Sequence, residues 1–77
     1  MRQSPPDTYV QRLGRARYCL TRQGRQGPPG TLVDAVERYW RAAGRCPLAE
    51  VPVMIQGEGI LPMRDAKLGT RSMTEDR

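Results

Sequence analysis

Apolar positions recur with a helical period in two stretches and alternate in a third, and this change of period divides the chain. From Thr31 to Ala43, Leu32, Val36, Tyr39, Trp40 and Ala43 stand at i, i+4, i+7, i+8 and i+11, the stripe of an amphipathic helix over 31–43. Local chemistry agrees with that period. Thr31 suits the N-cap with Asp34 in the third position, and Gly44 suits the residue just past the last turn. Asp34–Arg38 and Glu37–Arg41 are i, i+4 pairs with the acid first. Because Tyr39 and Trp40 fall on the apolar stripe, they are expected in the core and not as a base-stacking platform.

Tyr9, Leu13, Ala16 and Leu20 repeat the i, i+4, i+7, i+11 spacing and predict a second helix over 7–22. Ser4 with Pro5 behind it, or Asp7 alone, would start it, while Gly14 costs its interior about 1 kcal/mol relative to alanine. A strand over Arg17 to Arg22 competes, since Tyr18 and Leu20 alternate there with Arg17, Cys19 and Thr21. In the helical reading Gln11, Arg15 and Arg22 share one face with Arg12 beside them, a basic ridge opposite the stripe.

Between the helices, 23–30 reads as a glycine- and proline-rich loop, with Arg25 in it and Pro28-Pro29 stiffening its exit. It lacks the Gly-Lys-Ser or Gly-Lys-Thr of a phosphate-binding loop. After Gly44 the pattern becomes extended. Val51, Val53 and Ile55 alternate with Pro52, Met54 and Gln56, and Gln56-Gly57-Glu58-Gly59 turns the chain toward Ile60, Leu61, Pro62 and Met63, which predicts a hairpin over 51–63. Pro52 and Pro62 donate no ladder bond, so their strands belong at edges or place those residues where an amide would meet solvent. A two-stranded ribbon is marginal alone. It must pack on the helices, recruit a further strand such as Arg17 to Thr21, or pair with a second copy through its exposed edge. The remaining 64–77 mixes charges with few apolar residues and is expected to be a mobile tail. The fold expected is α+β, a small single domain with two helices packed on a short antiparallel β-hairpin.

Charge changes this picture by locating it. The 77 residues carry +5, and positions 1–30 account for all of it, with six arginines against Asp7 alone. The rest balances. Arg12, Arg15, Arg17, Arg22 and Arg25 are therefore the candidate binding residues, and arginine's planar fork suits phosphate or carboxylate better than lysine does. The expectation is that these cations gather on one exposed side.

The inventory of reactive groups points away from bond chemistry. The chain has no histidine, its serines Ser4 and Ser72 lie near the ends without a base, and Lys67 sits in the tail. Glu50, Glu58 and Asp65 read as solvated loop acids. Cys19 and Cys46 match no metal half-site and read as small buried thiols, the alternative being one disulfide in a secreted chain. No catalytic residue, metal or cofactor is expected. Neither a membrane span nor an export signal is visible, which makes the cytoplasm the expected compartment.

Two functional readings follow. In the first, the protein is a nucleic-acid-binding or regulatory protein whose N-terminal arginines neutralise phosphates. In the second, it is an inhibitor or adaptor of the phage or mobile-element kind, docking on an acidic protein or nucleoprotein surface of a larger machine.

Overall fold

The computed structural model describes residues 6–66. The segment 7–22, expected as a helix, is instead an antiparallel pair of strands, β1 (Thr8–Gly14) and β2 (Arg17–Arg22). The helical stripe breaks up accordingly. Ala16 occupies the connecting turn at φ 59°, Leu13 is 39% exposed, and Val10, which the stripe omits, is fully buried. Val10 pairs with Leu20, so Tyr9 points to the opposite face from both. Thr8, Tyr9, Val10, Tyr18 and Thr21 are β-branched or aromatic and fit a pleated surface, and Gly14 weakens a helix at its middle. The register shifts between Arg12 and Gly14, which leaves Leu13 as the extra residue of a bulge.

The stretch 23–30 is more ordered than a connector. Gln23 and Gly24, at φ 52° and 80°, make a two-residue turn of the type I′ kind that leads into β3 (Arg25–Gln26). Beyond β3, the Gly27 N–H donates to the Leu20 carbonyl at 2.8 Å. Gly30 and Tyr18 then exchange both backbone bonds, at 2.8 and 2.9 Å. The Gly-Pro-Pro-Gly run is thus laced along the open side of β2 before it enters the helix.

Helix α1 (Leu32–Ala43) matches the expected 31–43 closely. The Thr31 hydroxyl accepts from the Asp34 N–H at 3.1 Å, and the Asp34 carboxylate accepts from the Thr31 N–H at 3.4 Å, which completes a capping box. Glycine at position 30 leaves room for this geometry, since a Cβ there would stand 3.0 Å from the Asp34 carboxylate oxygen and press on the capping box. At the other end the Gly44 N–H donates to the Trp40 carbonyl. Arg38 ties the helix to the preceding loop by donating to the Pro28 carbonyl at 3.1 Å.

A short 3-10 turn (Leu48–Glu50) precedes β4 (Pro52–Ile55) and β5 (Gly59–Pro62), the antiparallel hairpin expected over 51–63. The further strand it recruits is β1, which lies parallel to β4 with Val10 opposite Val53. One mixed sheet results, in the order β3-β2-β1-β4-β5. Pro52 opens β4 ahead of the β1 pairing, and Pro62 closes the edge strand β5.

Helix α1 lies over β2 and β1. Val10, Ala35, Val36, Val51, Val53, Met63 and Ala66 form the core beneath it, with residues 63–66 adding one helical turn after β5. The α+β class therefore stands, but as a five-stranded mixed sheet with one helix of length and a helical turn, not as two helices on a hairpin. Of the tail expected to be mobile over 64–77, residues 64–66 instead lie in that helical turn with Ala66 buried in the core, and the remainder, like the Ser4–Pro5 helix start, lies outside the described residues.

Tyr39 and Trp40 are half-buried against the core, as the stripe predicts. Burial pushes the Tyr39 phenol above its usual range, and the neighbouring Cys46 adds to that. Cys46 joins the helix side of the sheet, whereas Cys19 is fully buried on the other face, and both thiols are free. Among the described residues no helix is long and apolar enough to cross a membrane.

Candidate functional site

The strand structure redistributes the arginines. Arg12 pairs with Tyr18 on the face toward α1, Arg15 lies in the β1–β2 turn, and Arg17 falls on the opposite face in line with Cys19. All three lie near one end of β2, with Arg12 and Arg17 on opposite faces. Arg22 and Arg25 are register partners flanking the Gln23-Gly24 turn at the other end. At about 3.4 Å per residue, Arg17 and Arg22 start roughly 17 Å apart along the strand. The single ridge expected from a helix is replaced by two cationic groups, one at each end of the first hairpin.

The sign of the sheet survives this rearrangement. All five strands together carry Arg12, Arg17, Arg22 and Arg25 and no aspartate or glutamate. Among the described residues the acids lie elsewhere: Asp34 and Glu37 on α1, Glu50 in the 3-10 turn, Glu58 in the β4–β5 turn, and Asp7 and Asp65 beyond the strand ends. The only ion pair among the described residues joins Arg64 to Asp65 at 3.9 Å, so none of the five candidate arginines is neutralised by a carboxylate there. Arg15, Arg17, Arg22 and Arg25 are exposed, and Arg12 is half-buried.

The sheet face away from α1 carries a polar network that helical reasoning cannot foresee. The Gln11 amide oxygen accepts from the Thr21 hydroxyl at 2.9 Å and from the Gln26 amide at 3.0 Å. Thr21 has one proton and gives it to Gln11, so the Cys19 thiol, 3.7 Å away, is the donor to Thr21. Around this row stand the half-buried Tyr9, Met54 and Ile60, placed on the same face by the registers Tyr9–Thr21, Gln11–Met54 and Met54–Ile60. The period-2 signal of Tyr9 and Gln11 opposite Cys19 and Thr21 was present in the sequence, masked by the helical spacing of Tyr9 and Leu13.

A second feature lies on the helix side. Leu32, Val33, Val36, Trp40, Leu48 and Met63, with Glu37 among them, line a largely apolar groove of about 260 Å³, with Val33 and Leu48 65% and 47% exposed. The Trp40 indole N–H is buried without an acceptor, and the Arg45 guanidinium stacks over the ring at 4.4 Å from its centre. No cluster of three or more potential metal-ligating side chains occurs among the described residues. No family model, curated protein or solved structure matches the chain.

Proposed function

We propose that the protein is a non-enzymatic nucleic-acid-binding or regulatory protein that grips phosphates with the arginines of its sheet layer: Arg12, Arg15 and Arg17 at one end, Arg22 and Arg25 at the other. The observation that carries this reading is the acid-free sheet with its unneutralised guanidinium groups. A polyanion meets no repulsive carboxylate on the strands, and separated cationic groups suit a ligand whose charge repeats along its length. The reading places the protein in the cytoplasm, where the free thiols of Cys19 and Cys46 persist.

The test is binding to random-sequence DNA and RNA across a salt series. Five phosphate contacts give a log–log slope near −4.5 on duplex DNA, at about 0.9 per contact. The double charge reversal Arg22→Glu, Arg25→Glu removes two contacts and flattens the slope by about 1.8. Salt-independent binding, or none, refutes the proposal. The apolar groove with exposed Val33 and Leu48, together with the open edge of β5, favours the second reading, an inhibitor or adaptor docking on an acidic protein or nucleoprotein surface. One co-purifying protein with no affinity for nucleic acid would select it.

A further inference from the structure

The geometry points to single-stranded nucleic acid as the ligand and to the sheet face opposite α1 as its platform, an inference that rests on the nucleic-acid reading above and names its substrate class. Width argues first. Five strands spaced about 4.8 Å apart span roughly 19 Å, whereas a duplex major groove of about 12 Å admits a helix or a two-stranded ribbon. The face is too broad to reach base edges inside a duplex. A single strand lays its bases open, and a sheet face with an aromatic ring on it can stack them.

The side chains on that face fit this use. Tyr9 is half-buried, and its hydroxyl has no partner among the described residues. Met54 and Ile60 extend the apolar surface beside Gln11. The Gln11 carbonyl is saturated by Thr21 and Gln26, which orients the amide and leaves its NH2 group uncommitted and not buried. The Gln26 amide likewise keeps its oxygen free as an acceptor. An uncommitted donor on Gln11 and an uncommitted acceptor on Gln26 are the groups that the edge of an unpaired base can use. Of the strand arginines only Arg17 stands on this face, where it can meet the backbone; Arg12, Arg22 and Arg25 project on the α1 side, near the two ends of the first hairpin, and no carboxylate occupies any of the strands. Helix α1, by contrast, carries the exposed acids Asp34 and Glu37 alongside Arg38 and Arg41, so its charges balance.

The experiment measures fluorescence anisotropy of labelled random-sequence strands of about 16 nucleotides, as DNA, as RNA and as annealed duplex DNA. Both single strands are expected to bind at least tenfold more tightly than the duplex at equal salt. Tyr9→Leu keeps an apolar strand residue but removes the ring, and should weaken single-strand binding about tenfold while leaving the duplex unchanged; Tyr9→Phe should bind like the parent. Far-ultraviolet circular dichroism confirms that each variant is folded. Equal affinity for duplex and single strand, or single-strand binding indifferent to Tyr9→Leu, overturns the platform and leaves the phosphate-gripping proposal intact. Failure of all three probes to bind overturns both. A preference for RNA over DNA strands, with the same dependence on Tyr9, supports the platform and adds contacts to the 2′-hydroxyl.

Discussion

Val10→Ala separates the strand topology from the helical pattern that the same residues imitate. In the structure Val10 is fully exposed to the core and fully hidden from water, facing Leu20 on β2 and Val53 on β4. Removing two methyl groups forfeits about 1.6 kcal/mol of transfer free energy at roughly 0.8 each. The void left behind, roughly 40 Å³ at about 24 cal/mol per Å³, adds about 1 kcal/mol. A loss of about 2–3 kcal/mol is large for a chain of this size, whose whole stability is expected to be about 4–11 kcal/mol. Urea unfolding followed by the fluorescence of Trp40, the sole tryptophan, reads this as a midpoint lowered by roughly 1–2 M at unchanged slope. The companion variant is Leu13→Ala. Leu13 belongs to the bulge and is 39% exposed, so its truncation should cost about 1 kcal/mol or less. A helix over 7–22 demands the reverse order, with Leu13 on the buried stripe and Val10 off it. Leu13→Ala costing more than Val10→Ala would refute the β1–β4 pairing.

Thr31→Ala removes the hydroxyl half of the capping box and should lower stability by about 1 kcal/mol in the same assay, with Thr31→Ser close to the parent. Gln23→Asn puts a residue tolerant of left-handed backbone where φ is already 52°, ahead of Gly24, and should stabilise by a few tenths to about 1 kcal/mol; a loss would contradict the type I′ turn. The Tyr39 phenol is raised by burial first and by Cys46 second, so the folded state favours its protonated form. That contribution is complete below the ordinary tyrosine range near pH 10 and is lost as pH climbs from there through the raised folded value. Tyr39→Phe should accordingly show a shallower alkaline decline than the parent when denaturation midpoints are compared across pH 9–12; identical declines would place the phenol in water.

The elements that could be read from the sequence are those whose signals are local and mutually consistent. Helix α1 has its cap, stripe and acid-before-base pairs within one segment, and β4–β5 has alternation on both sides of a glycine turn. The first hairpin had no such agreement. Tyr9, Leu13, Ala16 and Leu20 satisfy helical spacing by coincidence, and while Cys19 is buried as expected, Thr21, buried beside it on the outer face, is not a residue that an apolar pattern would single out. The parallel pairing of β1 with β4 leaves no local trace at all, because each strand is completed by a segment distant in sequence. The candidate site shared this fate. Its arginines were visible as composition, but period 2 instead of 3.6 separates Arg12 from Arg17 across the sheet and brings Tyr9, Gln11 and Gln26 onto one face.

That long-range pairing also orders events during synthesis. The β1–β2–β3 meander closes through neighbours in sequence and can form as soon as it emerges, but one side of β1 then stays unsatisfied until Val53 and Met54 have been made and α1 has crossed over. During that interval the chain presents a raw strand margin to its surroundings, and a β4 from another nascent copy matches it as well as its own does. Conditions that slow completion of the chain should therefore favour exchanged dimers over monomers.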